Sequence, residues 1–430
     1  MNTLRRVAII GGTRIPFCRS NTAYGDLSNL DMLADTLQAL VKQYKLAGRK
    51  IDDVIAGAVT THSRDWNLAR EAVLSSGLSP RTPGTTLQMA CGTSLHAAML
   101  LGARIASGQI DCAIAAGTDT TSDVPLVFQR RFARRLVALS QARDLKSRLR
   151  AFKGFRLSEL APQAPGNAEP RTGLSMGEHC ELMARQWGIS REEQDLLALE
   201  SHLKAAAAWT DGFFDQLVTP YNGVARDNNL RLDSTLEKLA TLKPAFDRSS
   251  SGTLTAGNST PLTDGAAAVL LASEDYAHKH DLPVQAWLLG ARISAVDYVK
   301  GEGLLMAPTI AVSELLQSAG LALQDFDYYE IHEAFAAQVL CTLKAWEDED
   351  YCRDVLGLKT PLGSIERARL NVKGSSLAVG HPFAATGARV IATLGKLLES
   401  DPKARGLISV CTAGGMGAAA ILAGMQCEIN

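Results

Sequence analysis

Residues 85–117 read TTLQMACGTSLHAAMLLGARIASGQIDCAIAAG. An extended run reaches Met89, and a small-residue turn follows at Cys91-Gly92-Thr93. A helical pattern then occupies 95–105, and an apolar strand pattern over 112–116 ends at Gly117. The chain repeats this order near its other end. There, Gly380-His381-Pro382 leads into a helical pattern over 385–398 and then a strand over 407–410 that stops at Cys411. Turn, helix and strand twice over imply an internal duplication, each copy an α/β unit with a largely parallel sheet. Two halves facing one another would carry the turns before both helices to a shared centre.

Further β-rich runs at 7–10 and 54–59 and a helical pattern at 32–44 complete a first α/β half over 1–120. Runs at 268–272, 285–293 and 328–331, with a helical pattern at 310–319, give the remainder of that half over 247–275 and a second half over 276–430. Between them, 121–246 is rich in Arg, Pro, polar residues and helix formers, and reads as an inserted domain of helices and loops.

The 430 residues, 46% apolar and 21% charged, exceed one ordinary domain and exclude a disordered, collagenous or disulfide-scaffold protein. Lys and Arg number 44 against 45 Asp and Glu, so no whole-protein field draws the chain onto nucleic acid or anionic lipid. Eight cysteines without a CxxC pair read as reduced thiols. The opening Met1-Asn2-Thr3-Leu4-Arg5-Arg6 runs directly into an apolar strand, leaving no room for a signal peptide. The uncharged stretch 407–427 is broken by Gly414, Gly415, Gly417 and Gly424, so it reads as strand, turn and strand rather than a membrane span. The expectation is a cytoplasmic protein.

Cys91 stands where a strand meets a helix, and a helix N-terminus favours a thiolate, so its pKa is expected to fall towards neutrality. Taken alone, a buried structural cysteine is the commoner reading. His381, in GHPFAATGAR, is held in a turn beside Gly and Pro and can accept a thiol proton. Cys411 ends a strand before the glycine-rich turn 412–417 and is a second candidate proton carrier. His332 and Glu333, in IHEAFAAQ, occupy another strand-to-helix junction. A zinc site there lacks the second His of HExxH, so no metal is expected. Gly11-Gly12-Thr13-Arg14-Ile15-Pro16 lacks the Lys-Ser/Thr of a P-loop and reads as a structural turn.

With these segments assembled, and with Gly252–Ala268 (GTLTAGNSTPLTDGAAA) added, the sequence resembles the thiolase family over essentially its whole length. The resemblance implies duplicated α/β halves in a layered αβαβα arrangement with a loop domain inserted in the first half. It implies Cys91 as acyl-accepting nucleophile, His381 as its base, and Cys411 as the acid/base at the acetyl carbon and the incoming CoA thiol. It also implies that His332 and His381 hold the thioester oxygen, and that the backbone N–H groups of Cys91 and Ala413 receive the oxyanion. Met176, Arg231 and Thr260 match positions near CoA, which serves as substrate; no tightly bound cofactor is implied. Many thiolases carry Asn where this chain has His332. HEAFA with GHPFAATGAR is similar to the thiolase subunit of fatty-acid oxidation trifunctional complexes, which implies degradative thiolysis in β-oxidation, a homodimer core and a hydratase/dehydrogenase partner subunit. The competing readings are biosynthetic condensation of acetyl-CoA and a non-catalytic acyl-CoA-binding scaffold.

Residues 124–157 carry ten basic side chains and one acid, with apolar residues at helical spacing. Three uses compete for these basic amphipathic helices: covering the core, docking on a membrane surface or partner, and attracting CoA phosphates. A nucleic-acid role fits poorly, because the patch is short and its aromatics belong to an apolar face.

Overall fold

A computed structural model describes residues 4–428; Met1, Asn2 and Thr3, which open the stretch read for targeting, lie outside the described residues. Hydrogen bonding runs through a sheet ordered Tyr328–Ile331, Arg405–Thr412, Met416–Ala423, Ala286–Ala295, Val7–Arg14, Thr263–Ser273, Cys112–Asp119, Asp53–Gly57, Gly84–Thr86. From the middle outward, both halves follow one polarity. Val7–Arg14 pairs antiparallel with Thr263–Ser273, which pairs antiparallel with Cys112–Asp119, which pairs parallel with Asp53–Gly57. Ala286–Ala295 pairs antiparallel with Met416–Ala423, then antiparallel to Arg405–Thr412, then parallel to Tyr328–Ile331. A single parallel bridge from Tyr329 to Leu370 stands where the first half has Gly84–Thr86. The duplication is thus a property of the hydrogen-bond pattern.

Successive strand residues face opposite sides, which sorts the apolar side chains into layers. Ala8, Ile10, Ile114 and Leu270 pack under the helices Asn29–Gln43 and Leu68–Ser75. Leu407, Ala419 and Ile421 pack under Ala307–Ala319 and Ala336–Glu347. The alternate residues Val7, Ile9, Ala115 and Val269 of one half, and Ile408, Val410 and Ala420 of the other, share a third core with the helices Thr93–Ala106 and Thr386–Ser400. With helices outside each half and the two middle helices sharing one core with both, the arrangement is αβαβα. The two middle helices touch at their starts. A Cβ on Gly387 would stand 2.2 Å from the Leu95 backbone nitrogen. There too, Ser94 Oγ donates to the Ala384 carbonyl at 2.5 Å and accepts from the Ala388 N–H at 2.8 Å.

Two expectations change. The GGTRIP segment is not a turn: the strand Val7–Arg14 runs through it, and Gly11, at φ +145°, absorbs a register slip against Thr263–Ser273. The basic helices Arg130–Gln141 and Leu145–Ala151 cover no core, since neither has a buried residue. Their aromatics gather locally, Phe132 lying 5.1 Å from Phe128 and 6.1 Å from Phe155 between ring centres, and an Arg135–Glu159 ion pair at 2.7 Å clasps the lobe. The 407–427 stretch is the hairpin of Arg405–Thr412 and Met416–Ala423, and among the described residues no helix is long and apolar enough to cross a membrane. All eight cysteines are unpaired.

Candidate active site

Cys91 lies in a single 3-10 turn, Ala90–Gly92, that leads into the helix Thr93–Ala106. Thr93 clamps the turn: its Oγ1 accepts from the Met89 N–H at 2.9 Å and donates to the Ala90 carbonyl at 2.7 Å. Ala90 adopts φ +44°, a left-handed conformation that L-residues rarely take, and so holds the next side chain in place.

His381 is fixed from three sides. Its backbone N–H donates to Thr263 Oγ1 at 2.7 Å, the ring Nδ1 lies 2.5 Å from Thr386 Oγ1, and the ring Nε2 lies 3.0 Å from the Cys91 sulfur. With Nε2 accepting the thiol proton, Nδ1 carries the ring proton and donates to Thr386. Asp119 ties the segment after His381 to the loop that follows Asp53–Gly57, accepting from the Ala384 N–H at 2.9 Å while it also receives the Val59 and Thr60 N–H groups.

The His332 ring lies against that of His381 with centres 4.2 Å apart and planes tilted by 48°. The backbone N–H of His332 donates to the Ser409 carbonyl and the ring Nδ1 lies 2.8 Å from Ser376 Oγ, while the ring Nε2 is buried without a partner among the described residues. Glu333 is scaffolding: it accepts from Ser201 Oγ, Asn371 Nδ2 and the Leu377 N–H. Cys411, buried near the end of Arg405–Thr412, belongs to the strand end that the Cys91 turn abuts, a Cβ on Gly92 falling 2.8 Å from Thr412 Cγ2. The backbone N–H of Ala413 favours the Cys91 thiolate, though less than burial opposes it. Glu169, from the inserted segment, holds the next residue by accepting the Gly414 N–H at 2.9 Å.

Burial governs the electrostatics. It pushes the Cys91 thiol up to about 12, with Asp119 adding to the rise, so the expected depression towards neutrality does not occur. A helix end contributes about 0.3–1 kcal/mol, less than one pKa unit, whereas burial shifts such groups by several units. The same burial, reinforced by the Arg389 cation, lowers His381 to about 3 and holds His332 well below the usual histidine range. Cys411 is raised by burial and then by Cys91. The resting pair is therefore neutral, a thiol donating to an imidazole.

Cys91, His332 and His381 each offer a ligand atom within 4.8 Å of the others, a trio that sequence spacing could not reveal.

A groove of ≈ 610 Å³ adjoins the site, lined by Arg19, His202, Arg231, Lys238, Thr260 and Leu377 among others. Thr260 is tied to the Ala334 carbonyl through both N–H and Oγ1. Met176 is not in this lining; it packs against the outer core of the second half. Sequence reading missed Asp119, Glu169, Ser376, Thr386 and Arg389. Arg389 alone left a signal: a charge inside the apolar helix pattern of 385–398.

Paired α/β halves with a thiol–imidazole pair where their inner helices meet define an acyltransferase of the thiolase type. Residues 7–275 match the model for the thiolase N-terminal domain and 286–424 that for the C-terminal domain. A 3-ketoacyl-CoA thiolase of Yersinia pestis is 41% identical over 423 residues, 97% of this chain and 96% of that protein. Among solved structures, Bacillus anthracis acetyl-CoA acetyltransferase superposes with a TM-score of 0.81 at 28% identity, covering 98% of this chain and 99% of its own. Human mitochondrial 3-ketoacyl-CoA thiolase also gives 0.81, at 27% identity over 98% and 100%. An Ascaris suum thiolase in complex with coenzyme A gives 0.81 at 26% identity over 98% and 100%. The chain belongs to the thiolase family.

Proposed function

We propose that this enzyme is a degradative 3-ketoacyl-CoA thiolase of fatty-acid β-oxidation, using Cys91 as nucleophile. As sulfur attacks the C3 ketone, His381 takes the thiol proton, and the resulting oxyanion rests on the Cys91 and Ala413 N–H groups. The C2–C3 bond then breaks, its electron pair passing into an enolate whose oxygen His332 and His381 hold. Cys411 gives that enolate a proton at C2, and acetyl-CoA leaves. The Cys411 thiolate deprotonates an incoming CoA thiol, which attacks the acyl carbonyl, and the Cys91 sulfur departs with the proton returned from His381. The 3.0 Å contact between the Cys91 sulfur and His381 Nε2 carries this reading. A neutral resting pair suits it, because charge then develops only against preorganised donors, each worth about 3 kcal/mol.

Arg231 and Thr260 bind CoA in the basic groove, with Arg19 and Lys238 serving its phosphates; Met176 contributes from behind it. The core assembles as a homodimer, for which the apolar trough of Met99, Leu100, Leu288 and Ile293 is suited. A hydratase/dehydrogenase subunit is the expected partner, and the exposed basic helices of 124–157 dock on that partner or a membrane surface. The setting is cytoplasmic. The test is thiolysis of short- and long-chain 3-ketoacyl-CoA by wild type and Cys91→Ala. Turnover of medium or long chains by the wild type, lost in the variant, supports the proposal; retained variant turnover rejects the nucleophile.

A further inference from the structure

We propose that Arg389 and Ser376 are positioning residues that keep the proton of His332 on Nε2, making this ring a hydrogen-bond donor to the substrate's thioester oxygen. The inference rests on the thiolase reading and extends it to two residues outside the reacting groups. Arg389 is buried in the helix Thr386–Ser400, and its guanidinium donates to Ser375 Oγ at 3.1 Å and to Ser376 Oγ at 2.7 Å. Arginine has donors only. Ser376 Oγ therefore accepts from Arg389, and its other contact among the described residues is His332 Nδ1 at 2.8 Å. The hydroxyl proton has that one acceptor.

A neutral imidazole carries a single N–H, so an accepting Nδ1 places the proton on Nε2. Neutrality is enforced by burial, then by the neighbouring His381 and the Arg389 cation. The opposite tautomer would have Nδ1 donate to Ser376, leaving the hydroxyl proton buried without an acceptor. It would also aim a lone pair at the oxygen on which the enolate charge gathers. Nε2 is the buried ring nitrogen with no protein partner, as an unused donor for substrate should be. A protonated Nε2 also has no lone pair for a metal.

Two measurements test the relay. In the intact, ligand-free enzyme labelled with 15N-histidine, long-range 15N–1H correlation should show His332 with a protonated Nε2 and a bare Nδ1, the signals being assigned by their loss in His332→Asn. A proton on Nδ1 overturns the inference, even if the wild type is an active thiolase. In steady-state thiolysis, Ser376→Ala should lower kcat by about tenfold or more with little change in KM, and Ser376→Thr should restore it. An asparagine amide donates without tautomers. On a His332→Asn background, Ser376→Ala should therefore cost less than about threefold. Equal losses on both backgrounds would mean that Ser376 acts structurally. Should Ser376→Ala not fold, the spectrum of the wild type decides alone.

Discussion

The junction of the two middle helices and the lobe at 124–157 treat polar side chains in opposite ways. At the junction, Cys91, His332, His381, Asp119 and Arg389 are all buried, and each makes a hydrogen bond to a residue distant in sequence. In the lobe, seven of the ten basic residues stand on two helices without one buried position, and the Arg135–Glu159 pair is the chief tie. Burial makes each partner at the junction costly to remove, because the group left behind has no water to turn to. Exposure in the lobe leaves charge free to act outward.

This contrast orders the expected effects. The largest is Cys91→Ala, which should lower thiolysis by at least about a thousandfold while the thermal midpoint barely moves. Gly387→Ala should come next: its Cβ would meet the Leu95 backbone at 2.2 Å, and separating the helices should destabilise by about 1–3 kcal/mol, measured by denaturant unfolding.

Stability should also depend on pH. The unfolded chain protonates histidine below about 6.5, while folded His381 does so only below about 3. Its contribution is thus present in full above about 6.5 and is lost as pH falls towards 3, at up to about 1.4 kcal/mol per pH unit. His381→Asn should flatten that slope, and an unchanged slope would place the titration elsewhere.

The smallest effect on catalysis should come from the lobe. Changing Arg130, Arg131 and Arg134 together to Gln should leave kcat within about twofold but weaken salt-sensitive binding to anionic vesicles or to the partner subunit. Arg135 is left out because removing it would break the clasp. Unchanged binding would dissolve the contrast between the two regions.

Much of the junction was legible in the sequence because short apolar runs alternate with helical patterns, and the order turn, helix, strand occurs twice. Val7 and Ile9 face one core while Ala8 and Ile10 face another, and the repeated turns at Cys91 and Gly380 announced the duplication. Cys91, His332 and His381, read from their motifs and the family resemblance, come together in the fold, whereas Met176 falls outside the groove. The supports were not legible, because they are contacts across the fold. Asp119 holds Ala384 and Glu169 holds Gly414, partners 265 and 245 positions away in the sequence. The direction of the Cys91 shift was misjudged for the same reason: a helix start is visible in sequence, whereas complete desolvation is a property of the assembled layers. The lobe was legible as basic helices, but their amphipathic pattern could not reveal that no core lay beneath them.

The decisive measurement is mass spectrometry of the enzyme after brief exposure to a 3-ketoacyl-CoA with no free CoA present. A mass increase equal to the shortened acyl chain, carried by the peptide containing Cys91 and discharged on adding CoA, is the expected result. An adduct on Cys411, or none while acetyl-CoA is still released, would contradict the assignment of Cys91 as the residue that holds the acyl group.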